Sequence, residues 1–295
     1  MATTTPFEPV AAAVPRRAPR SALTEFVRRN PTIAIGSAII AFMAAISIAA
    51  PWVAGDPVGF QPINRLRAPS AEFWFGTDNL GRDVYARTVY GGRISLVVGL
   101  LVAVAAIALG LLIGLASGYF RRLDGVIMRV MDGIMAIPSI LLAIALVALT
   151  KASVEVVVIA IAIPEIPRVV RLVRSVVLTV REQPYVDAAI ASGTRAARIL
   201  FRHILPNTVA PLIVQATYII ASAVITEAAL SFLGAGVPPE IPTWGNMIAD
   251  GRLFLQIAPW PIFFPGLCLA ILVLAINILG DGLRDHLDPR IARRM

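Results

Sequence analysis

The chain has 295 residues, of which 58% are hydrophobic and 15% charged, and its mean hydropathy is +0.80. A soluble globule is excluded by that balance, and most of the chain is expected to lie in lipid. The net charge of +8 comes almost wholly from arginines placed in clusters between apolar runs, not on one patch, which argues against a nucleic-acid partner, and the lone Cys268 excludes an internal disulfide framework.

In chain order, residues 1–30 are rich in Ala, Pro and Arg and read as a disordered cytoplasmic tail without a signal-peptide cleavage pattern. A bilayer-crossing helix needs about 20 apolar residues. Runs of that length fall at 32–53, 94–119, 126–149, 154–173, 208–234 and 258–280, which predicts an all-α integral membrane protein with six transmembrane helices. Pro164, Glu165, Pro167 and Arg168 interrupt the fourth run, so a five-span reading stays open. In the second run Gly110, Gly114 and Gly118 recur every four residues and put three glycines on one helix face, where a neighbouring backbone can come close.

Basic flanks orient the spans. With six spans, Arg16, Arg17, Arg20, Arg28, Arg29, Arg121, Arg122, Arg129, Arg168, Arg171, Arg174, Arg181, Arg195, Arg198, Arg202, Arg284, Arg290, Arg293 and Arg294 share one side, 19 of the 26 Lys and Arg residues. Both termini are therefore expected in the cytoplasm, with the loops 54–93 and 235–257 outside. The organisation expected is a tail at 1–30, a first span and outer loop at 31–92, a transport domain at 93–282 holding a polar loop at 183–207, and a tail at 283–295.

The inventory excludes much chemistry. Lys151, the only lysine, precedes Ala152, so no phosphate-binding G-x-x-x-x-G-K-[ST] loop exists and the chain is not expected to bind ATP that way. With His203 and His286 as its only histidines, it offers no ordinary zinc or iron ligand set, and no serine sits in a G-x-S-x-G elbow. An enzyme is not expected, nor a cofactor in this chain.

Between the fourth and fifth runs lies "YVDAAIASGTRAARILFRHILPN", Tyr185 to Asn207. Pro184 suits a first helical turn and Gly193 a C-terminal cap, after which Thr194 caps a second helix ending near Ile204, before Pro206. Val186, Ala189, Ile190 and Gly193 would share one face of the first helix, and on the second Arg195, Arg198 and Arg202 would form a stripe opposite Ile199, Leu200 and His203. An interfacial anchor and a docking site for a partner are both open on these grounds.

Four further groups stand out. Asp78 with Arg82 and Asp83 with Arg87 have the spacing of i,i+4 pairs and predict an outer amphipathic helix after Gly76, which could cap a pore mouth or meet an outside partner. Arg129 and Asp132, spaced as an i,i+3 pair, are expected to neutralise each other or to position the neighbouring loop, and not to touch substrate. Glu227, toward the outer end of the fifth run, and Glu165 are candidates for a translocation path, with a hydrogen bond to another helix the alternative for Glu227.

The loop resembles the cytoplasmic motif E-A-A-x3-G-x9-I-x-L-P of bacterial ABC importer permeases, through Asp187-Ala188-Ala189, Gly193 and Leu205-Pro206. It departs in Asp187 for Glu, which keeps the charge, and in His203 for Ile; "FRHILPN" is similar to the dipeptide, oligopeptide and nickel permeases, in particular their C-type subunit. "FGTDNLGRDVYARTVYGGRISL" resembles the G-T-D-x-x-G-R-D-x-x-S-R pattern of that subunit with Ala86 for Ser, and "TEAALSFLGAGVPPEIPTWGNMI" and "NILGDGLRDHLDPR" resemble its fifth span and C-terminal end. The resemblance implies the type I ABC importer permease fold in a bacterial inner membrane, a homologous B-type permease, two cytoplasmic ATPases that hold ATP and Mg, and an extracytoplasmic solute-binding protein. It also implies that Asp187, Ala188, Ala189, Gly193, Arg195, Arg198, His203, Leu205 and Pro206 belong to a coupling helix seated on an ATPase. Peptides are the expected solute, nickel or another small solute the nearest rival, and a secondary transporter the rival from another class.

Overall fold

The three-glycine face of the second apolar run organises the architecture. That run belongs to α4 (Val84–Tyr119), and its glycines meet α7 (Val154–Arg181) at a matching four-residue repeat. A Cβ added at Gly110, Gly114 or Gly118 would stand 2.5, 2.7 or 2.6 Å from the Cβ of Val169, Val173 or Val177. No side chain fits there, so α4 and α7 approach closely over about two turns, with valines of α7 seated on the glycines of α4. Val98, Val102, Ala106 and the α7 valines 157, 169, 173 and 177 are all solvent-free, which makes this seam the centre of the main core.

The structure is a computed structural model, and it describes residues 22–287. Every regular element among them is helical. Ahead of α4 come α1 (Ala22–Arg29), α2 (Pro31–Ile48) and α3 (Ala50–Val53); α5 (Arg121–Met135) and α6 (Ser139–Ala148) lie between α4 and α7. After α7 follow α8 (Pro184–Ala191), α9 (Ala196–Ile199), α10 (Leu205–Phe232), α11 (Trp244–Gly251) and α12 (Trp260–Leu287). The helices α2, α4, the stretch 196–232 and α12 are each long and apolar enough to cross a membrane, and α5 with α6 make a fifth such unit if the bent pair is counted as one span. The remaining run of the sequence, the fourth, corresponds to α7, which spans 28 residues without a break at Pro164 or Pro167 but carries Glu165 and four arginines. A second core forms where α2 and α12 close on α10 around Trp244 and Leu272. Gly36 of α2 lets α12 approach until an added Cβ would be 2.8 Å from the Ala275 carbonyl.

Four expectations are corrected. The tail read as disordered through residue 30 is helical from Ala22, and the Phe26 ring stands edge-on to His286 at 5.5 Å, tying α1 to the end of α12; residues 1–21 and 288–295, with Arg16, Arg17, Arg20, Arg290, Arg293 and Arg294, lie outside the described residues. The third run is not straight: the chain turns by 84° between α5 and α6 at Ala136–Pro138. Pro138 forces the residue before it out of helical geometry, and α5, amphipathic and bearing Arg121, Arg122, Asp124, Arg129 and Asp132, is too polar to enter lipid along its whole length. No helix follows Gly76; residues 76–83 turn back on themselves through left-handed Gly76 and Gly81 and a bridge from Thr77 to Asp83. The expected boundary at 92/93 falls inside α4 and the one at 282/283 inside α12.

Polar contacts fix the ends of α4. Asp83 caps it by accepting from the Tyr85 amide at 2.9 Å, so it does not pair with Arg87. At the C-terminal end of α4, Ser117 donates to Asp124 at 2.6 Å, and Arg174 of α7 grips both oxygens of that carboxylate at 2.6 Å. Asp132 likewise pairs with Arg171 of α7 at 2.6 Å, and not with Arg129. Helix α5 is thus held on α7 by two arginine–aspartate pairs one to two turns apart.

Candidate functional site

The polar loop of residues 183–207 begins where α7 ends. Gln183 precedes Pro184, whose fixed φ and missing N–H suit the first turn of α8. Helix α8 closes at Gly193, with φ +74°: the Thr194 amide bonds the Ala189 carbonyl at 3.0 Å and the Gly193 amide bonds Ile190 at 2.9 Å, the paired bonds of a Schellman cap. Arg195, not Thr194, then starts α9. The expected second short helix is not separate. From Ala196 the chain is helical without interruption to Phe232, with a π-helical stretch at Leu200–Ile204 ahead of Pro206. A proline in a first turn costs no hydrogen bond, and the wider π winding absorbs its ring while the Asn207 side chain donates to the His203 carbonyl at 2.6 Å.

The loop rests on its own chain by few residues. Val186, Ile199 and Ile204 are buried, and Ala189 and His203 are half-buried, with the His203 ring 5.8 Å from Tyr185. Asp187, Ala188, Gly193, Arg195, Arg198, Arg202 and Pro206 are exposed, and a Cβ on Gly193 would meet nothing within 4 Å. Tyr185, Ile190 and Phe201 are also bare, Phe201 at 69% exposure. The arginine stripe does lie opposite Ile199, Leu200 and His203, while of the expected small-residue face only Val186 is covered.

On the other side, α11 is bound into a polar lattice. Thr243 caps it through the Asn246 amide, and Asn246 Nδ2 donates to the carbonyls of Val237, Pro238 and Ile241 at 3.0–3.1 Å. Glu227 of α10, with no exposed surface, accepts at Oε1 from Ser231 and Thr243, each at 2.9 Å; its Oε2 is buried without a partner. In this chain Glu227 faces no open space. Asp78 accepts from Arg82 Nε at 2.5 Å and stands 3.7 Å from Arg87 Nε, and both arginines reach Asp250 of α11. Asp250 lies 168 residues from Arg82, beyond the reach of any spacing rule, which is why the sequence paired Arg87 with Asp83 instead. Glu165 is buried and paired with Arg168 at 3.0 Å. Among the described residues no group of His, Cys, Asp and Glu could hold a metal ion.

Glu227→Gln keeps the Oε1 acceptor, so the protein should assemble at normal yield while transport falls. Glu227→Ala strips the acceptor from two buried hydroxyls and should lower stability by about 1–3 kcal/mol. Thermal unfolding of the purified variants, read beside uptake, checks both; unchanged transport in Glu227→Gln would leave this carboxylate a purely architectural role.

The model of the family described as binding-protein-dependent transport system inner membrane component matches residues 89–293. The chain belongs to that family. This transport component is 58% identical to the probable peptide ABC transporter permease protein y4tQ of Sinorhizobium fredii, over 92% of its own length and 94% of the relative's. It is 46% identical to the dipeptide transport system permease protein DppC of Alkalihalophilus pseudofirmus, over 90% and 88%. Among solved structures, a chain of the MetNI methionine ABC transporter in inward-facing form superposes with a TM-score of 0.57 at 18% identity, covering 68% of the chain and 96% of its counterpart. The transport component therefore has the type I ABC importer permease fold, in a multi-pass membrane protein with several apolar helices.

Proposed function

We propose that the chain is the C-type permease subunit of a bacterial peptide importer. It sits in the inner membrane with both termini cytoplasmic, pairs with a homologous B-type permease, and takes solute from an extracytoplasmic binding protein. Two cytoplasmic ATPases bind ATP and Mg and supply the free energy, since this chain has no phosphate loop. The observation that carries the reading is the loop itself: outside the spans, α8 and its cap leave Tyr185, Ile190 and Gly193 uncovered and the π-helical stretch leaves Phe201 bare, exposed apolar groups that ask for a partner. Asp187, Ala188, Ala189, Gly193, Arg195, Arg198, His203, Leu205 and Pro206 form the coupling segment there. Because α9 continues into α10 and α8 follows directly on α7, a displacement of the loop by ATPase closure moves two spans at once. The names of the relatives support peptides over nickel or another small solute.

Two measurements test this. Reporter fusions after Met295 and within residues 238–242 should report opposite sides of the membrane; same-side signals would sink the topology. The purified chain should hydrolyse no ATP, with turnover appearing only when the two ATPases are added, and robust hydrolysis by the subunit alone would sink the assignment of roles.

A further inference from the structure

Arg168 is a charged group at the wrong depth for lipid. Its neighbour Val169 lies against Gly110 of α4, which is three residues from the middle of an uncharged run from Ile94 to Phe120, about 4.5 Å along the helix. Arg168 therefore stands near the bilayer centre, where a guanidinium is among the costliest groups to leave against hydrocarbon and where such residues face a water-filled cavity or a partner group. Yet its side chain is 41% exposed in this chain. Both of its hydrogen bonds leave from Nη1, to the two oxygens of buried Glu165 at 3.0 and 3.1 Å, so Nε and Nη2 engage no acceptor among the described residues. The guanidinium also lies 5.9 Å from the ring centroid of Tyr218, itself 51% exposed at the midpoint of α10.

This pair continues a route from the cytoplasmic side. A groove of about 710 Å³ is lined by Leu172, one turn below Arg168 on α7, by Pro211 and Gln215, on the α10 face that continues to Tyr218 and Ser222, and by Arg284 at the cytoplasmic end of α12. Ser222 in turn donates to Glu165 at 3.5 Å. The groove thus ends about one turn short of the Arg168–Tyr218 pair, on the same stretch of α7 and α10.

We infer that Arg168, steadied over Tyr218 and neutralised at rest by Glu165, is a carboxylate-recognising station on the translocation path, where the free fork of the guanidinium takes the carboxylate of a passing solute. The inference rests on the peptide-importer reading, in which every solute with a free C-terminus carries such a group. A planar fork with a one-sided counter-ion is suited to this role, because it binds a second carboxylate through Nε and Nη2 without giving up Glu165. Arg168 is a recognition group here, and Glu165 and Tyr218 position it.

The test uses the assembled transporter with its ATPases and partner permease in liposomes, with dialanine as probe. Arg168→Gln should import dialanine about tenfold more slowly or worse, the loss expected for one charge-assisted hydrogen bond, with subunits still co-purifying. Arg168→Lys should fall between. The double variant Arg168→Gln/Glu165→Gln, which leaves no unpaired intramembrane charge, should remain as slow as the single one; if it regains wild-type uptake, the pair serves only mutual neutralisation and the inference is overturned. Dissociation of the partner permease in Arg168→Gln would overturn it too, by assigning the arginine to the subunit interface, as would unchanged uptake. A second arm needs no peptide. In a Cys268→Ala background, Ser222→Cys should react several-fold faster with an anionic sulfonatoethyl methanethiosulfonate than with its trimethylammonium counterpart, relative to the rates of a free thiol, and Arg168→Gln should erase that preference. A Ser222→Cys thiol inert to both reagents, or indifferent to their charge, overturns the inference. If the wild-type transporter ignores dialanine while the thiol arm behaves as expected, the peptide reading has failed and the anion station stands.

Discussion

Gly193→Asp yields a permease that reaches the membrane at its normal level and imports at about a tenth of the wild-type rate or less. The left-handed conformation at φ +74° costs a side chain about 1–2 kcal/mol, and aspartate is among the residues that tolerate it best. Nothing in this chain lies within 4 Å of the new Cβ, so the fold has no reason to give way. On the proposed reading, what the carboxylate would meet is the ATPase seated on α8. Ala189→Arg, on the same half-buried side of α8, should act alike, whereas Arg198→Ala on the exposed stripe should be milder. Immunoblots of membranes, uptake, and co-purification of the ATPases read the three quantities separately. Normal import with both ATPases bound would reduce the segment to an interfacial anchor.

Gly114→Leu should act by the opposite route, removing the folded protein. A Cβ there would lie 2.7 Å from the Cβ of Val173 and 3.0 Å from the Val170 carbonyl, and the rest of a leucine has no room at all. Overpacking a closed core costs about 1–3 kcal/mol where neighbours can shift, and here the neighbours are the Cβ of Val173, fixed by its own backbone, and the Val170 carbonyl, which places the cost at the upper end or beyond. The detergent-extracted variant should show a sharply lower yield and unfolding midpoint. Val173→Ala in the same chain should restore part of the loss by shortening the facing side chain. Gly125→Leu on α5, where an added Cβ meets nothing within 4 Å, should change neither quantity. Equal behaviour of the Gly114 and Gly125 variants would refute the close approach of α4 and α7.

The same seam illustrates what a sequence discloses. Glycines at 110, 114 and 118 announce a close helix contact because spacing fixes a face, but they do not name the helix that fills it; the valines at 169, 173 and 177 repeat at the same interval and could have suggested the match. Long apolar runs were legible because hydrophobic length is a local property. The bend at Pro138 was hidden inside one such run, since residues 126–149 are apolar enough to pass as a straight span while α5 is amphipathic only when its preceding arginines are counted with it. Pro206 read as a stop because a proline ends a helix from within; it sits instead in a first turn behind a π-helical step, where it breaks nothing. Local spacing also misassigned partners: Arg87 and Asp132 each had an opposite charge three or four residues away, yet pair across the fold with Asp78 and Arg171. Within the coupling segment, the glycine cap and the arginine stripe were readable because both follow from residue type and helical period.

Helix α4 runs as one helix of 36 residues, about 54 Å, with no proline along it. Its inner end is fastened to Asp124 and, through Arg181, to the stretch that leads into α8; its outer end is fastened to Asp78, Asp250 and, by the Trp244 indole on the Thr88 carbonyl, to α11. Between them the glycine seam leaves no slack, so sliding α4 along α7 would drive the side chains of Val169, Val173 and Val177 into α4. A shaft fixed at both ends and clamped along its length transmits displacement without loss. If the loop is displaced as proposed, the clamped α4–α7 pair would carry that shift toward α11 as one body.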